Sequence, residues 1–359
     1  YLISSTLHLK ASSFCFSFLS VSVIVCAYKI VEKEKIAPKK DPSVVAFLIM
    51  LLSCFSVIAR CDQLSFEYFN KLILFNLVIL MLFVTYKTDA NKIIEKIVLV
   101  MSQILFVLLF YNGFIIKETY GTTSLLVLGF SNSNLAGMWC FLAFAGVVWS
   151  LYVVRGVRRV IFLVEAGILV YLGILTGARS ALIAMLGICA CPFIPGLNKK
   201  STRRIMTRLS IAVPIIFPVL YMYFYNQGIE FTFGGMQGKA FYSGRQYTWQ
   251  FALENWIKHP VLGAYNEISF GTGMSQMHNI MVDILASYGV CVLVLVVMFL
   301  TKILRDIGEK EMTKAQNFMY YVFLMAIIQG TFEAAFFTGA SGYGICCCIY
   351  LLIAKTRCA

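Results

Sequence analysis

Residues 280–304 read IMVDILASYGVCVLVLVVMFLTKIL, and this stretch decides the fold. Only two of its side chains, Asp283 and Lys302, are charged, and the run is long enough for a helix to cross the apolar part of a bilayer. Its apolar residues are continuous, whereas the strands of a membrane barrel alternate at every second position. Backbone polar groups in lipid must be bonded internally, which a helix achieves by itself. The stretch therefore predicts a membrane-spanning helix.

The composition of the whole chain agrees with a membrane protein. Of its 359 residues 60% are hydrophobic and 13% are charged, and the mean hydropathy is +0.82. A soluble domain has about 45–50% apolar and about 25% charged residues, so this class is excluded. The net charge of +13 resides in Lys and Arg between the apolar runs, and we predict no nucleic-acid partner. The 12 cysteines lack zinc-site spacing and are interpreted as small apolar side chains.

Further apolar runs divide the chain into an all-α polytopic membrane protein with about eleven (10–12) transmembrane helices. The predicted spans are 12–30, 42–59, 71–86, 97–116, 135–154, 160–175, 181–195, 209–225, 280–304, 318–336 and 341–354. Three regions follow: helices 1–8 in residues 1–225, one large loop in 226–277, and helices 9–11 in 278–359.

Lys and Arg residues alternate between the two sides of this layout. Most of them fall in one set of loops, at 29–40, 87–96, 155–159, 199–208, 302–314 and 355–357. By the positive-inside rule these loops are cytoplasmic, and the loop 226–277 is extracytoplasmic. Tyr1 then lies outside, and because the chain does not begin with methionine, we expect a missing first helix.

The large loop contains one predicted helix. Trp249, Ala252, Leu253 and Trp256 recur at helical spacing in 247–258, and the residue before Pro260 disfavours the helical conformation. We expect an amphipathic helix along the membrane surface, with both tryptophans at the interface.

Three side chains on the outer side suggest chemistry. Arg179, Arg245 and His278 are predicted at one membrane face and at similar depth. Arginine binds phosphate oxygens with two parallel hydrogen bonds and stays charged. Histidine titrates near neutrality and accepts a proton from a hydroxyl. This set suits a diphosphate together with a proton to be moved.

Plainer structural interpretations remain open for each of them. Arg179 would then cap a helix end, Arg245 would be a solvated loop charge, and His278 would only bond backbone. The intramembrane acids Glu165, Asp283 and Glu333 either line a wet cavity or tie helices together. Second candidates for sugar or acceptor contacts are Asn134, Gln246, Tyr247, Asn279 and Glu333.

Motifs for soluble donors are missing from the sequence. It has no phosphate-binding loop, no dinucleotide fingerprint and no Asp-x-Asp pair for a metal ion. We predict no cofactor and no metal. An outward-facing site has no access to ATP or nucleotide sugars, so the donor must be an activated molecule of the membrane. A lipid diphosphate meets this requirement.

Four segments together resemble the O-antigen ligase and polymerase superfamily. In chain order they are GFSNSNLAG (129–137), TGARSAL (176–182), SGRQYTWQFALENWIKHPVLG (243–263) and HNIMVDILASYG (278–289). They are similar to the family's Asn-x-Asn segment, its Arg motif, its Arg–Trp–Pro-x-x-Gly loop and its His-Asn helix. Ser133 departs from the pattern, since proline is common at that position. The resemblance covers residues 125–335.

The resemblance implies a GT-C-like fold and metal-independent, inverting transfer of a glycan from an undecaprenyl diphosphate carrier. It also implies a bacterial cytoplasmic (inner) membrane location, with the active site on the periplasmic face. Arg179, Arg245 and His278 would be the catalytic residues. We favour a polymerase that joins lipid-linked repeat units for O-antigen, capsule or exopolysaccharide, with a chain-length regulator and a flippase as partners. The alternative is a ligase that transfers the glycan to lipid A core.

Two other classes compete with a transferase. A lipid-linked oligosaccharide flippase would carry basic residues deep in a central cavity and repeat symmetry between halves, which the sequence lacks. A non-catalytic assembly subunit would not need Arg179, Arg245 and His278 together.

Overall fold

A computed structural model describes residues 42–59, 66–88, 92–120, 124–191, 194–229, 242, 244–264, 277–337 and 342–355. Its helices are α1 (Ser43–Ala59), α2 (Phe66–Lys87), α3 (Lys92–Tyr111), α4 (Ser133–Val153), α5 (Arg158–Thr176), α6 (Arg179–Ala190), α7 (Lys200–Asn226), α8 (Arg245–Lys258), α9 (Ile280–Gly308), α10 (Lys314–Gln329) and α11 (Tyr343–Lys355). A π-helical turn, Asn112–Ile116, extends α3. The predicted span 12–30 and most of the large loop lie outside the described residues.

The helical membrane class is confirmed. Among the described residues, five helices are long and apolar enough to cross a membrane: α3 with its extension, α4, α5, α7 and α9. Shorter apolar helices occupy Val44–Val57, Arg179–Ala190 and Tyr343–Lys355. Every predicted span from 42–59 onward overlaps one helix, and α8 is the predicted loop helix. The number of membrane crossings stays a prediction.

The buried core is built around α4, the most deeply buried of the five long helices. It packs against α3, α5, α6 and α10, and Trp139, Phe141 and Trp149 are buried in its contacts. Outward faces of other helices expose large apolar side chains, such as Val107, Leu163 and Val219, at 60%, 58% and 61%. A soluble protein would not leave so many such side chains in water, but lipid accommodates them.

The end of α10 corrects the predicted span 318–336. Thr313 starts the helix with a capping box, in which its side chain and that of Gln316 bond each other's backbone N–H groups. The helix already ends at Gln329, and Glu333 lies in the non-helical connection to α11. Glu333 is therefore not part of α10. The carbonyls of Gly330 and Thr331 instead accept hydrogen bonds from Ile280 N and Asn279 Nδ2 at the start of α9.

A break inside α9 corrects the prediction of one continuous helix. Gly289 has φ +85°, and a Cβ atom there would lie 2.0 Å from Val261 O. The N–H of Val290 donates to Pro260 O at 2.9 Å, and Ala286 O accepts from Ala264 N at 2.8 Å. In an unbroken helix these two groups of α9 would bond each other. The turn after α8 is thus inserted between two turns of α9, and its backbone groups form the hydrogen bonds that the break in α9 leaves open.

Trp249 also departs from its predicted place at the membrane surface. It is fully buried, and its ring packs on Tyr221 at 5.1 Å between centroids. Its Nε1–H donates to Met277 O at 2.6 Å. A buried indole needs such an acceptor, and this bond ties α8 to the start of α9.

Candidate active site

Four helix N-termini meet at one cavity of about 480 Å³. They belong to α4, α6, α8 and α9. The lining residues are Tyr120, Asn132, Ser133, Asn134, Gly177, Arg179, Ser180, Ile183, Phe217, Tyr221, Gly244, Arg245, Thr248, His278 and Phe332. Arg179 and Arg245 are the first residues of α6 and α8, and His278 directly precedes the N-cap Asn279 of α9.

This arrangement attracts anions. Each helix N-terminus carries a partial positive charge and directs backbone N–H groups outward. The N-cap residues of α6 and α8, Ala178 and Gly244, have no side chain that could bond those N–H groups. Two guanidinium groups stand at the same two helix ends. The cavity therefore concentrates positive potential where a group such as a diphosphate would bind.

Glu333 joins three of the predicted site residues from behind the cavity. Its Oε2 accepts from His278 Nδ1 at 2.9 Å, and its Oε1 accepts from Asn134 Nδ2 at 2.9 Å. The same Oε1 lies 3.4 Å from Arg245 Nη2. Burial acts to raise the pKa of Glu333, but the hydrogen bond and charge of His278, the charge of Arg245 and the amide of Asn134 outweigh it and hold the pKa below its usual value. The carboxylate is thus kept ionised.

The imidazole of His278 is oriented by this contact. A carboxylate only accepts, so Nδ1 carries the proton, and in the neutral form of the imidazole Nε2 is the acceptor. The His278 backbone has φ +50°, a conformation that costs of order 1–3 kcal/mol for a residue with a side chain. Bonds on both sides hold this conformation, because Trp249 donates to Met277 O and Ile280 N donates to Gly330 O at 2.8 Å.

Gly137 brings α4 and α6 together. A Cβ atom on Gly137 would lie 2.1 Å from the Cβ of Ala178 and 3.0 Å from Thr176 Oγ1. Only glycine permits this approach, which sets Asn134, one turn earlier on α4, beside Arg179. The glycine of the first motif and the arginine of the second therefore act as one structural unit.

Three other predicted contacts lie apart from the cavity lining. Asn279 is fully buried, and its Oδ1 accepts from Met281 N and Val282 N. Its Nδ2 donates to Pro214 O and Thr331 O, which uses its whole hydrogen-bonding capacity. Gln246 is buried on the first turn of α8.

Tyr247 is 62% exposed, and its hydroxyl lies 2.6 Å from that of Tyr225. Its neighbour along the chain, Thr248, lines the cavity in its place. Successive helix residues point about 100° apart, and on α8 Thr248 lines the cavity whereas Tyr247 is exposed.

Several lining residues escaped the sequence reasoning. Thr248 lies three positions after Arg245 and so shares its helix face, a signal the sequence contains. Phe217, Tyr221 and Phe332 form an aromatic wall that no local pattern distinguishes from ordinary core. The Arg245 guanidinium lies 6.0 Å from the centroid of Phe332, within range of a cation–π interaction.

Tyr120 was missed as well. It follows Thr119, which pairs with Leu126 in an antiparallel bridge, and Leu126 N donates to Leu175 O at 3.1 Å. These bonds connect the segment that contains Tyr120 to the end of α5, just before Arg179.

The fold and the site together define a multi-pass helical membrane protein with a cavity lined by two arginines and a histidine. Residues 166–297 match the sequence model of the O-antigen ligase family, and this confirms the resemblance to the O-antigen ligase and polymerase superfamily. The matched segment includes Arg179, Arg245 and His278. No curated protein matches the chain. The match supports O-antigen ligase or polymerase type activity on a lipid-linked glycan, and gives the flippase alternative no support.

Proposed function

We propose that this chain is a glycan polymerase, which transfers an undecaprenyl-diphosphate-linked glycan to another lipid-linked repeat unit. The observation that carries the proposal is the cavity itself. It combines two arginines at helix N-termini with an imidazole whose Nδ1 is held by a carboxylate. The family match supplies the substrate class.

Arg179 and Arg245 would bind the diphosphate of the donor. As the glycosidic bond breaks, negative charge grows on the leaving undecaprenyl diphosphate, and fixed guanidinium groups stabilise that charge. Removing one such donor costs roughly 3–4 kcal/mol in comparable anion sites. The N-termini of α6 and α8 would add their backbone N–H groups.

His278 would act as the general base. Its Nε2 takes the proton from a hydroxyl of the acceptor sugar, and the hydroxyl oxygen attacks the anomeric carbon of the donor. The carbon–oxygen bond to the diphosphate breaks on the opposite face, so the configuration inverts. Protons and charges balance without a metal ion, since the arginines neutralise the leaving group.

Glu333 would orient the catalytic side chains instead of contacting the sugar. It lies behind the cavity lining, and its carboxylate contacts the side chains of His278, Arg245 and Asn134. An ionised carboxylate at Nδ1 fixes the tautomer and stabilises the imidazolium that forms, as in other carboxylate–histidine pairs. Asn279 would act in the same way, through the backbone of α9.

The sugars would contact the polar and aromatic parts of the cavity. Asn134 and Tyr120 line the cavity together with the aromatic residues Phe217, Tyr221 and Phe332. Gln246 and Tyr247 lie at the start of α8, where a longer glycan would leave the cavity. Aromatic faces with a few polar groups are typical of ligand pockets of this size.

We further propose eleven membrane crossings in a GT-C-like arrangement, in a bacterial cytoplasmic membrane. The distribution of Lys and Arg supports this topology and assigns the cavity to the periplasmic face. A chain-length regulator and a flippase are the proposed partners, because a polymerase at that face needs repeat units delivered there and a signal to stop.

Complementation of a deletion strain tests the proposal. The strain would carry the wild type, Arg179→Ala, Arg245→Ala or His278→Ala at matched membrane levels, and surface glycan would be resolved on a gel. We expect a ladder from the wild type and single repeat units from the three variants. Arg155→Ala is the matched control, since Arg155 is exposed between α4 and α5.

Other outcomes would change the proposal. Full-length polymer that accumulates on its lipid carrier in the deletion strain would identify a ligase. Unchanged ladders in all three variants would remove the chemical basis of the enzyme assignment.

A further inference from the structure

A buried ion pair lies behind His278. Lys71 of α2 and Asp283 of α9 are both buried, and Lys71 Nζ lies 2.9 Å from Asp283 Oδ1. Lys71 Nζ also donates to Ser287 Oγ, one turn further along α9, at 3.3 Å. A charged pair inside a membrane protein is costly to desolvate, so it is expected where it serves a purpose.

The pair is connected to the backbone of the active site. Asp283 Oδ1, the oxygen that faces Lys71, also accepts from Met277 N at 3.1 Å. Met277 directly precedes His278, and its carbonyl accepts from Trp249 Nε1 at 2.6 Å. Both polar backbone groups of Met277 are therefore held by buried side chains. His278 follows in its unfavourable left-handed conformation.

We propose that Lys71 and Asp283 are positioning residues for His278. Lys71 fixes the Asp283 carboxylate so that its oxygen meets the Met277 N–H. This bond and that of Trp249 prevent rotation of the peptide before His278. The imidazole then stays directed at the acceptor hydroxyl. Helix α2, remote in sequence from every motif, thereby becomes part of the catalytic unit.

The competing role is a plain tie between α2 and α9, and two double variants separate the two roles. Lys71→Met with Asp283→Asn removes both charges but keeps an oxygen for the Met277 N–H. Lys71→Met with Asp283→Leu removes the oxygen as well and fills the volume with apolar atoms. Exchanging a buried ion pair for uncharged side chains is often neutral for stability, so both variants should fold. The unpaired Met277 N–H should lower Tm in the Leu variant.

The assay uses the full chain in nanodiscs and the lipid-linked repeat unit extracted from the deletion strain. We expect the Asn variant to lose part of the wild-type kcat, because its oxygen still meets the Met277 N–H but Lys71 no longer fixes it. We expect the Leu variant to lose at least tenfold in kcat with KM little changed, whereas a plain tie would leave both variants at the wild-type kcat. A Leu variant with wild-type kcat would overturn the positioning role, because a tie needs no acceptor for Met277.

Trp249→Phe repeats the test from the other side of Met277. It keeps an aromatic ring at this site but removes the N–H donor together with part of the indole volume, so Tm should fall and kcat should again fall while KM stays. An unchanged kcat would contradict the need to hold this peptide. The inference rests on the proposed function, but the two would fail in different ways. A wild type without any transfer activity would refute the proposed enzyme activity. An active wild type with fully active Leu and Phe variants would refute only the positioning role.

Discussion

Replacing Glu333 by glutamine should nearly abolish glycan transfer without unfolding the protein. The carboxylate accepts from three donors: Asn134 Nδ2 and Arg245 Nη2 at Oε1, and His278 Nδ1 at Oε2. Glutamine has a single acceptor oxygen. If that oxygen faces Asn134 and Arg245, its NH₂ group faces His278 Nδ1. The proton then moves to Nε2, and the base is lost.

The opposite orientation of the amide does not restore the hydrogen bonds of the carboxylate. Its NH₂ group would face the donors of Asn134 and Arg245, which would leave the guanidinium without its anionic partner. General-base catalysis is worth about 10²–10⁴-fold in rate, which corresponds to roughly 2.7–5.5 kcal/mol in the activation barrier. We therefore expect Glu333→Gln to lower kcat within that range.

The measurement is single-turnover transfer between lipid-linked repeat units by the purified chain in nanodiscs. Glu165→Gln is the matched control, because Glu165 is also a buried carboxylate, and it bonds Gln103 at 2.9 Å far from the cavity. Glu333→Asp retains the charge and should keep more activity than Glu333→Gln. A Glu333→Gln rate within threefold of the wild type would refute the tautomer argument.

Three further predictions follow from the same contacts. Arg245→Lys should lose most transfer activity, since an ammonium cannot form the planar, two-bond contact with a diphosphate, and retained polymer length would contradict that geometry. Because the pKa of Glu333 lies below its ordinary value of 4.5, its ionised form stabilises the fold above that pH, and this stabilisation is lost as the pH falls through the lowered pKa. The difference in Tm between wild type and Glu333→Gln should therefore narrow as the pH falls below 4.5, and a constant difference would contradict the linkage. Gly289→Ala should destabilise the protein by more than about 2 kcal/mol, because the added Cβ would meet Val261 O and φ at this position is positive. The control Gly167→Ala, with open space at its Cβ, should leave Tm unchanged or raised. Equal Tm values for the two variants would contradict the role of the α9 break.

Local sequence patterns predicted most of the helices for a simple reason. Whether a segment enters lipid depends on the summed transfer free energy of its own side chains, which hydropathy adds up residue by residue. The loop helix 247–258 was found by periodicity, and Pro260 predicted its end at Lys258. Arg179, Arg245 and His278 were selected because positive residues are scarce on the outer side.

The errors arose where distant segments compete for the same backbone groups. A continuous α9 was expected because its sequence is apolar throughout, but the turn 260–264 occupies the hydrogen bonds around Gly289. Trp249 has the amphipathic character of an interfacial residue, yet Met277 O offers its N–H a partner inside the protein. Neither competitor is visible in a local window.

The sequence by itself determined the class of the protein, the division into apolar helices and charged loops, and the three side chains with the chemistry for a diphosphate and a proton. Only the tertiary structure decided that four helix N-termini meet at one cavity, that Glu333 is the common partner of His278, Arg245 and Asn134, and that Lys71 stands behind Met277. The physical reason is that burial in lipid is a property of each segment alone. A hydrogen bond between residues that are 55 or more positions apart in the chain depends on how all the helices pack, and a local sequence pattern carries no information on that packing.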